Sequence, residues 1–543
     1  VRSRRQRQMC IRDSYNTVNY FNICMSILTK NKIINTNFLY LLILGLFSFF
    51  VNLYYAKLGS FPIDTFLHYD SAYRILNDEL PVRDYWIVSG LAVDLIQSFF
   101  FKIFGTNWFA YSLHASLFNC LITIFVYIFL TNIKISRLKA FIFSISFSLL
   151  SYTISGTPFV DLHATFFLLI ATLLIINNLG RQKNYLWFFI TFLIFLSFFS
   201  KQVPVTYAIL VYSIVLLLFF TKNRDFKKIS IIFFSIIFHM ILLIFVLKIN
   251  KIEFGNFYIQ YLDYPQSIGS SRLNNFEFAI NSFFNKYKFI IIPLFLLIFL
   301  KLKKSKIFSE ESIGHLIFVI FTIILIFHQL MTKNQIFIYF LIPIIFGLLE
   351  QEIYTSKYKY KKYISIFMIL ILTFITTKYH IRYNENKKFH ELTNIQLEKK
   401  IKAEKIHKNL RGLYWKNPHY AGSPSDEVLI LKKAQKIISS NKEYEIMLIS
   451  HYTFLDSITK KKMNYPSKTF TMDGASMPLK INKHYNYYKD FLKNKIKKNN
   501  INKVFFFKHE KIPLKIITNY MEKNCYDITE DEIFYVLELK CFK

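Results

Sequence analysis

A group of ionisable side chains that could do chemistry follows the first long apolar segment of the chain. Its members are Asp64, His68, Asp70, Arg74, Asp78, Glu79, Arg83 and Asp84. Carboxylates near a membrane surface are costly unless they are paired or used in chemistry, and a carboxylate within reach of a hydroxyl can act as a general base. Asp70 is the first candidate for that base and Asp84 is the second, although Asp84 could instead orient Arg74 or Arg83. A helix N-cap is the structural alternative for Asp70, because an amphipathic stretch begins at Ser71.

Histidine and carboxylate are paired at short spacing in two places, as His68-x-Asp70 and as Asp161-x-His163. Imidazole and carboxylate ligands suit several divalent metals, so these side chains could hold an ion if the two segments converge. Three-residue motifs often match by chance, and two unrelated polar turns are the alternative. A divalent metal is the one cofactor that the sequence suggests.

Long apolar segments must position these residues. Of the 543 residues, 53% are hydrophobic, and the mean hydropathy is +0.30. Apolar runs of about twenty residues, the length that spans a bilayer, recur along the chain. This pattern excludes a soluble enzyme, a fibrous protein and a disordered chain. Eleven transmembrane helices are predicted, near 38–57, 108–130, 138–154, 160–178, 185–199, 204–221, 229–249, 287–300, 313–330, 335–350 and 363–377.

The charge pattern predicts how these helices are oriented. The formal net charge is +34, but Lys, Asn, Ile, Phe and Tyr are enriched together, which is typical of a coding bias and gives no reason to expect nucleic acid as a partner. Basic residues concentrate in alternate loops, at 134–139, 181–183, 222–228, 301–306 and 357–362. The positive-inside rule places these loops and the N-terminus in the cytoplasm. We therefore expect a multi-pass protein of a bacterial inner (plasma) membrane, whose C-terminal region is periplasmic or extracellular.

This alternation holds only if residues 87–105 do not span the membrane. Asp94, Gln97 and Lys102 interrupt this apolar segment, and a helix that lies in the membrane interface suits such a mixture. The first outer loop, residues 58–107, is therefore predicted to contain interfacial helices.

Composition divides the chain into three parts. Residues 1–24 are rich in Arg and Gln and are predicted to be a non-native or disordered leader. Residues 25–377 form the predicted transmembrane domain. Residues 378–543 change composition and are predicted to form a separate soluble α/β domain outside the membrane.

The C-terminal domain is predicted to open with a long charged helix through about residue 410. Strand-like runs follow it, alternating with helix-like ones: EYEIMLIS, KTFTMD, KVFFF and FYVLEL. The domain also holds Cys525 and Cys541. An oxidising compartment would allow a disulfide between them, but a pair of free thiols is equally compatible with the sequence.

The first outer loop resembles that of the GT-C membrane glycosyltransferases, in particular the protein O-mannosyltransferase and aminoarabinose-transferase-like branch. That pattern has an acidic residue just beyond the first span, a short helix, a turn and a second interfacial helix. Here these correspond to Asp70, residues 71–80, the turn at 80–86 and a helix that ends at Phe104-Gly105. Two features differ from the family: Ser71 replaces the Glu of an Asp-Glu pair, and Val-Ser-Gly-Leu replaces a Lys-Pro-Pro-Leu turn.

The resemblance implies a hexosyl- or pentosyltransferase that takes a sugar from a polyprenyl-phosphate donor and passes it to an unidentified acceptor at the outer face. Asp70 or Asp84 would be the base, and the configuration of the sugar would be inverted. Oligosaccharyltransferase-like relatives place acidic metal ligands in equivalent loops.

The departing phosphate needs positive charge, and the resemblance places a Lys at the position of Lys201, in the run FFSKQVPV. The full set of expected substrate-binding residues is Lys201, Arg74, Arg83, Lys333 and Tyr258. An interfacial snorkelling role is the alternative for Lys201, and anchoring of a span is the alternative for Tyr258. His328 lies near the outer end of its span, close enough to this region to be of interest.

Two other functions remain open at this stage. A transporter or flippase of a lipid-linked sugar should show internal repeats and polar groups in the middle of the membrane, whereas the ionisable residues here gather near one face. A surface-polysaccharide ligase or polymerase would be expected to carry its site in a large late loop, whereas the loop rich in ionisable residues comes first.

Overall fold

The computed structural model describes residues 37–57, 62–181, 183–274, 276, 278–302, 309–332, 337–356, 359–386, 397–420, 422–441, 445–510 and 512–541. The predicted leader at 1–24 and the candidate Lys333 lie outside these ranges.

Helices dominate the first 380 residues of the described chain. They are α1 Asn37–Tyr55, α2 Pro62–Leu76, α3 Leu91–Phe104, α4 Trp108–Asn132, α5 Arg137–Leu150, α6 Val160–Asn178, α7 Tyr185–Ser200, α8 Gln202–Lys222, α9 Phe226–Ile249, α10 Phe254–Tyr258, α11 Tyr264–Asn274, α12 Ile280–Leu302, α13 Glu310–Thr332, α14 Leu341–Tyr354 and α15 Lys361–His380. Within the described ranges, eight helices are long and apolar enough to cross a membrane: α1, α4, α6, α8, α9, α12, α13 and α15. The chain is therefore a mostly helical protein of the membrane-embedded type.

Each of the eleven predicted spans overlaps a helix, but three of these helices are short. Helices α5, α7 and α14 have 14, 16 and 14 residues. A helix of 14 residues is about 21 Å long, less than the roughly 30 Å of a hydrocarbon core. For α14 the reason is visible in its packing, because every residue from Leu341 to Leu349 is buried within the protein. Its apolar side chains pack against other helices inside the bundle.

The two ends of the bundle differ. At one end, ion pairs join the termini of neighbouring helices: Lys139 of α5 pairs with Glu350 of α14, and Lys301 of α12 lies 3.1 Å from Glu352 of α14. The other end is covered by α2, α3 and residues 397–541, and we call it the capped end.

Helix α3 has the amphipathic character that was predicted for residues 87–105. Leu95, Phe99 and Ile103 are exposed along one face, whereas Asp94 and Gln97 are buried on the other. The helix begins after Gly90, whose φ of 94° lies in the left-handed region that favours glycine. Its apolar face can therefore lie against lipid while its polar residues point into the protein.

The C-terminal region combines short helices with a small sheet. Its helices are α16 Pro424–Ser440, α17 Leu455–Thr459, α18 Tyr485–Lys498 and α19 Lys515–Thr518, and its strands are β1 Ile401–Lys402, β2 Tyr414–Trp415, β3 Glu445–Ile449, β4 Ile501–Phe507, β5 Tyr526–Glu530 and β6 Phe534–Leu539. The sheet has the order β3-β4-β6-β5, with β3 parallel to β4 and the other pairs antiparallel. Cys525 and Cys541 form a disulfide that joins the beginning of β5 to the end of β6.

Three details of the predicted C-terminal domain were wrong. Residues 397–410 form 3₁₀ turns and a short strand, and no long charged helix continues there. The KTFTMD run is not a strand; its first residue, Lys468, pairs with Asp94 of α3. Strand β5 was missed, since four of its five residues are exposed and it lacks an apolar pattern.

The C-terminal region and the first outer loop share one hydrophobic core. Phe66 of α2 packs on Trp415 and Phe454, with ring centroids 5.8 and 4.5 Å apart. Trp86 is fully buried, and its backbone N–H donates to the carbonyl of Pro466 over 2.8 Å. The loop is therefore folded against the C-terminal region, and this contact fixes the positions of α2 and α3.

Gly156 allows α1 to meet the connection between α5 and α6. Its φ is 74°, and a Cβ atom there would lie 2.8 Å from the backbone of Ala56. We predict that Gly156→Ala lowers the free energy of unfolding by about 2 kcal/mol or more, from left-handed strain and steric overlap. Thermal unfolding of the purified protein in detergent measures this. Gly255→Ala is the control, because a Cβ there meets nothing within 4 Å; equal melting temperatures for the two variants would contradict the close approach.

Candidate functional site

A buried ion cluster lies on the inner face of α2. Asp70 and Arg74 are one helical turn apart, and Asp70 Oδ2 is 3.9 Å from Arg74 Nη1. The Arg74 Nε donates to Glu79 over 2.7 Å, and its Nη2 donates to the carbonyl of Tyr465 in the C-terminal region over 3.0 Å. The guanidinium carbon lies 3.7 Å from the ring centroid of Tyr85. We call these five residues the Asp70 cluster.

The carboxyl groups in and beside this cluster differ in pKa. Burial raises the pKa of Glu79, but Arg74 and two lysines outweigh that effect and bring it down to about 2. Burial raises the pKa of Asp70 well above its ordinary value, Arg74 opposes this, and the nearby Asp456 and Glu79 add to it. Burial, followed by Glu79, also raises the pKa of Asp456 in α17 to about 8. Glu79 is therefore the standing counter-ion of Arg74, whereas burial favours the protonated forms of Asp70 and Asp456.

Asp70 has unused hydrogen-bonding capacity. Its Oδ1 is buried and has no hydrogen-bond partner among the described residues. Buried polar atoms in folded proteins are nearly always paired, so an unpaired one marks a place where a ligand or water can bind. The same is true of Nε2 of His68, two residues earlier on α2.

A second buried cluster links α2, α3 and the C-terminal region. His68 Nδ1 lies 2.6 Å from Asp94 Oδ1. Lys468 forms a close ion pair with the same carboxylate, and its ammonium group also donates to the carbonyl of Ser89 over 3.2 Å. Gly90 makes room for them, since a Cβ atom there would lie 2.9 Å from His68 and 3.0 Å from Lys468. Burial lowers the pKa of His68, so its ring is neutral.

A third cluster forms where α6 begins, α7 passes into α8 and α13 ends. Lys201 Nζ donates to Asp161 Oδ1 over 2.6 Å, and His328 Nε2 lies 3.1 Å from the same oxygen. Asp161 and His328 are buried, whereas the Lys201 side chain is 20% exposed. The residues beside Lys201 tie this cluster to the capped end: Gly90 N–H donates to the carbonyl of Ser200, and Gln202 donates to that of Val88.

The histidines predicted as metal ligands face different partners. His163 Nε2 lies 3.0 Å from His114 Nε2, and His114 Nδ1 lies 2.9 Å from Gln97. The predicted set of His68, Asp161 and His163 therefore does not assemble, because Lys201 occupies the Asp161 carboxylate and His68 is bound to Asp94.

A different group has metal-ligand spacing. Glu311, His315 and Glu352 bring one ligand atom each to within 4.8 Å of the others. Among the described residues, no other group of three or more His, Cys, Asp or Glu side chains does so. This group lies at the end opposite the capped one. The ammonium group of Lys301 lies 2.5 Å from Glu311 and 3.1 Å from Glu352 and offsets part of their charge.

Asp84 binds Arg83, which is the alternative role that the sequence left open for it. The Asp84 carboxylate accepts the backbone N–H of Leu80 over 2.9 Å and lies 2.6 Å from Arg83. Arg83 also donates to the carbonyls of Asp78 and Asn250. These contacts hold the turn between α2 and α3, and neither residue joins the Asp70 cluster. Tyr258, the other candidate in this area, lies half exposed on α10.

An apolar groove opens between α7, α8 and α9. Its volume is about 620 Å³. It runs from Trp187 to Phe198 and Phe199, which lie just before Lys201 in the chain, and Phe257 closes the same end. Nearly all of its lining is aliphatic or aromatic, with Tyr212 and His239 among the few polar side chains. A hydrocarbon chain suits such a lining.

Sequence reasoning missed four residues that complete the site: Asp94, Asp456, Tyr465 and Lys468. Asp94 carried a usable signal, since a carboxylate within an apolar helix is costly unless it is paired. The other three lie more than 350 residues from α2 in a region of ordinary composition, and nothing in their local sequence indicates the contact.

Comparison with known proteins gives no family for this chain. No protein-family model matches it, and no curated protein matches it significantly. What can be inferred about its chemistry comes from the geometry described above.

We predict that Lys468→Met destabilises the contact between the C-terminal region and the bundle by about 3 kcal/mol, because removing one partner leaves the Asp94 charge buried. Adding Asp94→Asn to this variant should restore much of the loss. Hydrogen–deuterium exchange of residues 445–510 measures the effect in each variant and in the pair.

Lys480→Met is the matched control, because Lys480 belongs to the same region and is exposed. Exchange in Lys468→Met that equals exchange in Lys480→Met would show that the ion pair does not hold the two parts together.

Proposed function

We propose that this chain is an integral membrane glycosyltransferase of the GT-C type, which moves a hexose or pentose from a polyprenyl phosphate to an acceptor at the outer face of the membrane. The observation that carries the proposal is the arrangement at the capped end. There a buried carboxyl group with an unpaired oxygen, a partly exposed lysine and the mouth of an apolar groove occur together. In such a reaction the carboxyl group takes the proton of the acceptor, the lysine binds the phosphate and the groove holds the lipid chain.

Asp70 is the proposed general base. The acceptor hydroxyl attacks the anomeric carbon, its proton passes to Asp70, and the bond between that carbon and the phosphate oxygen breaks with its electrons leaving on the phosphate. A base works best when its pKa lies near the working pH, and burial shifts the pKa of Asp70 upward toward that range. Arg74, held by Glu79, opposes this rise and favours the ionised carboxylate that a base requires.

Lys201 is the proposed phosphate ligand. Positive charge stabilises a transition state when it is already in place where negative charge develops. Asp161 and His328 hold the ammonium group in position, and its exposed part leaves room for a phosphate oxygen. His328 Nδ1 has no hydrogen-bond partner among the described residues, so the imidazole can adjust when the ligand binds.

The apolar groove is the proposed site of the isoprenoid chain. Its aromatic end, at Phe198 and Phe199, directly precedes Lys201 in the sequence. A polyprenyl phosphate that lies along α7, α8 and α9 would thus bring its phosphate to Lys201 while its hydrocarbon stays within the membrane.

The proposed orientation places the capped end outside the cytoplasm of a bacterial inner membrane. The disulfide between Cys525 and Cys541 favours an oxidising compartment for the C-terminal region. Lys139 and Lys301, which belong to basic segments between the helices, lie at the opposite end, as expected for the cytoplasmic side. Eleven membrane crossings, in which α5, α7 and α14 are short spans, give this arrangement.

The alternatives fit these observations less well. A flippase or transporter needs polar groups along a path through the membrane, whereas the clusters described here gather at one end under the C-terminal region. A ligase or polymerase of surface polysaccharide would use the same lipid carriers, and the transfer assay below distinguishes it by its product.

We predict that Asp70→Asn lowers the rate of sugar transfer by about 100-fold or more, the range typical for loss of a general base. The assay uses membranes with a labelled polyprenyl-phosphate sugar and follows release of the label from the lipid. Asn keeps the size of the side chain, so binding of the donor should persist. Asp78→Asn, an exposed position on the same segment, serves as the control; wild-type turnover in Asp70→Asn would remove Asp70 as the base.

We predict that Lys201→Met weakens use of the donor by about 10-fold to 100-fold, since a hydrogen bond to a charged group contributes about 1.5–3 kcal/mol. Lys201→Arg should recover part of the loss because it restores the charge. The dependence of initial rate on donor concentration measures the effect. Lys222→Met, at the far end of α8, is the control, and unchanged donor kinetics in Lys201→Met would exclude a role in phosphate binding.

A further inference from the structure

A second cavity, separate from the three clusters, lies between the turn at 80–86, α10 and α18. Its volume is about 430 Å³, within the range of about 300–1,000 Å³ that is usual for small-ligand sites. Its lining includes three cations, Arg83, Lys495 and Lys498, and three carboxylates, those of Asp84, Glu253 and Asp490. We call it the α18 pocket, because most of its lining comes from one face of that helix.

The basic residues of the α18 pocket are already engaged, and all of them bind Asp84. Arg83 and Lys498 lie 2.6 and 3.3 Å from its carboxylate. Lys495 donates to its backbone carbonyl over 2.6 Å. These contacts hold the turn between α2 and α3.

The acidic and amide residues are not engaged in the same way. The side chains of Glu253, Asp490 and Asn494 make no hydrogen bond or ion pair with any other described residue. Asp490 and Asn494 are one turn apart on α18, so a carboxylate and an amide lie side by side on the face of the helix that lines the pocket. The pocket thus offers free carboxylates and a free amide.

Aromatic rings complete the lining. Tyr487 and Phe491 are also one turn apart on α18, beside Asp490 and Asn494. The Tyr487 hydroxyl donates to the Asn256 side chain, which fixes the ring in place. A ring held in this way provides an apolar surface next to the polar groups, and such a surface suits the C–H face of a sugar.

This combination identifies the chemistry of the ligand. Free carboxylates and amides form hydrogen bonds with adjacent hydroxyl groups, and aromatic rings pack on the face of a pyranose. The charges of the lining residues sum to zero, with three cations and three carboxylates. An anionic ligand would meet the unpaired carboxylates of Glu253 and Asp490, which would repel it.

We propose that the α18 pocket binds a neutral oligosaccharide. That this glycan is part of the acceptor rests on the proposed function. The pocket lies next to the Asp70 cluster, since Lys495 Nζ is 4.0 Å from Glu79, the counter-ion of Arg74. It can therefore hold one part of an acceptor glycan while another part is at Asp70.

The test is binding of the purified full-length protein in nanodiscs to a printed array of neutral, anionic and amino-bearing oligosaccharides, with no donor present. We expect binding to neutral glycans, and a loss of about tenfold or more in affinity for the double variant Asp490→Asn, Asn494→Ala, which removes two hydrogen-bonding groups. Both positions are exposed on α18, so the variant should fold. Lys493→Ala, on the same helix outside the pocket, should bind like the wild type.

Asp70→Asn separates this proposal from the proposed function, because it should abolish transfer and leave glycan binding intact. If the wild type binds glycans but transfers no sugar, the proposed glycosyltransferase function is overturned and the assignment of the α18 pocket stands. Preference for anionic or amino-bearing glycans, absence of binding to all neutral glycans, or equal affinity in the double variant and Lys493→Ala would each overturn the pocket assignment.

Discussion

A guanidinium group buried away from water cannot release its proton, and Arg74 therefore determines what surrounds it. Its charge requires carboxylates, which Glu79 and Asp70 provide, and its remaining N–H groups require acceptors, of which the Tyr465 carbonyl is one. Burial raises the pKa of Asp70 well above its ordinary value although Arg74 opposes the rise, and its Oδ1 has no hydrogen-bond partner among the described residues. The charge state of Asp70 thus depends on its own burial and on Arg74 together.

The C-terminal region contributes residues to this site and also packs against it. It supplies Tyr465 to Arg74, Lys468 to the buried Asp94, and Asp456 to the electrostatic environment of Asp70. The aromatic core beneath these contacts is also shared between the region and the first outer loop. The charged clusters therefore form together with the docking of this region, which covers them.

The sequence predicted the parts of the site that depend on local pattern. Asp70 and Lys201 stood out because a carboxylate and a lysine are unusual at those places in an apolar chain, and the amphipathic α3 followed from polar residues within an apolar run. Contacts over long distances in sequence could not be predicted, and Lys468 is the clearest example. The metal set was wrong for the same reason, since the motif at Asp161 does not reveal that Lys201 and His328 occupy its carboxylate. The apolar pattern of α14 did not reveal that the helix is packed inside the bundle, because burial in protein and burial in lipid select the same residues.

A structure of the full-length protein in nanodiscs, determined with a non-hydrolysable phosphonate analogue of a polyprenyl-phosphate sugar, tests the central claim most directly. The account predicts the phosphonate within about 3 Å of Lys201 Nζ, the isoprenoid chain in the groove between α7, α8 and α9, and the anomeric carbon on the side facing Asp70. An analogue bound at the opposite end of the bundle, or one whose sugar points away from Asp70, would contradict it.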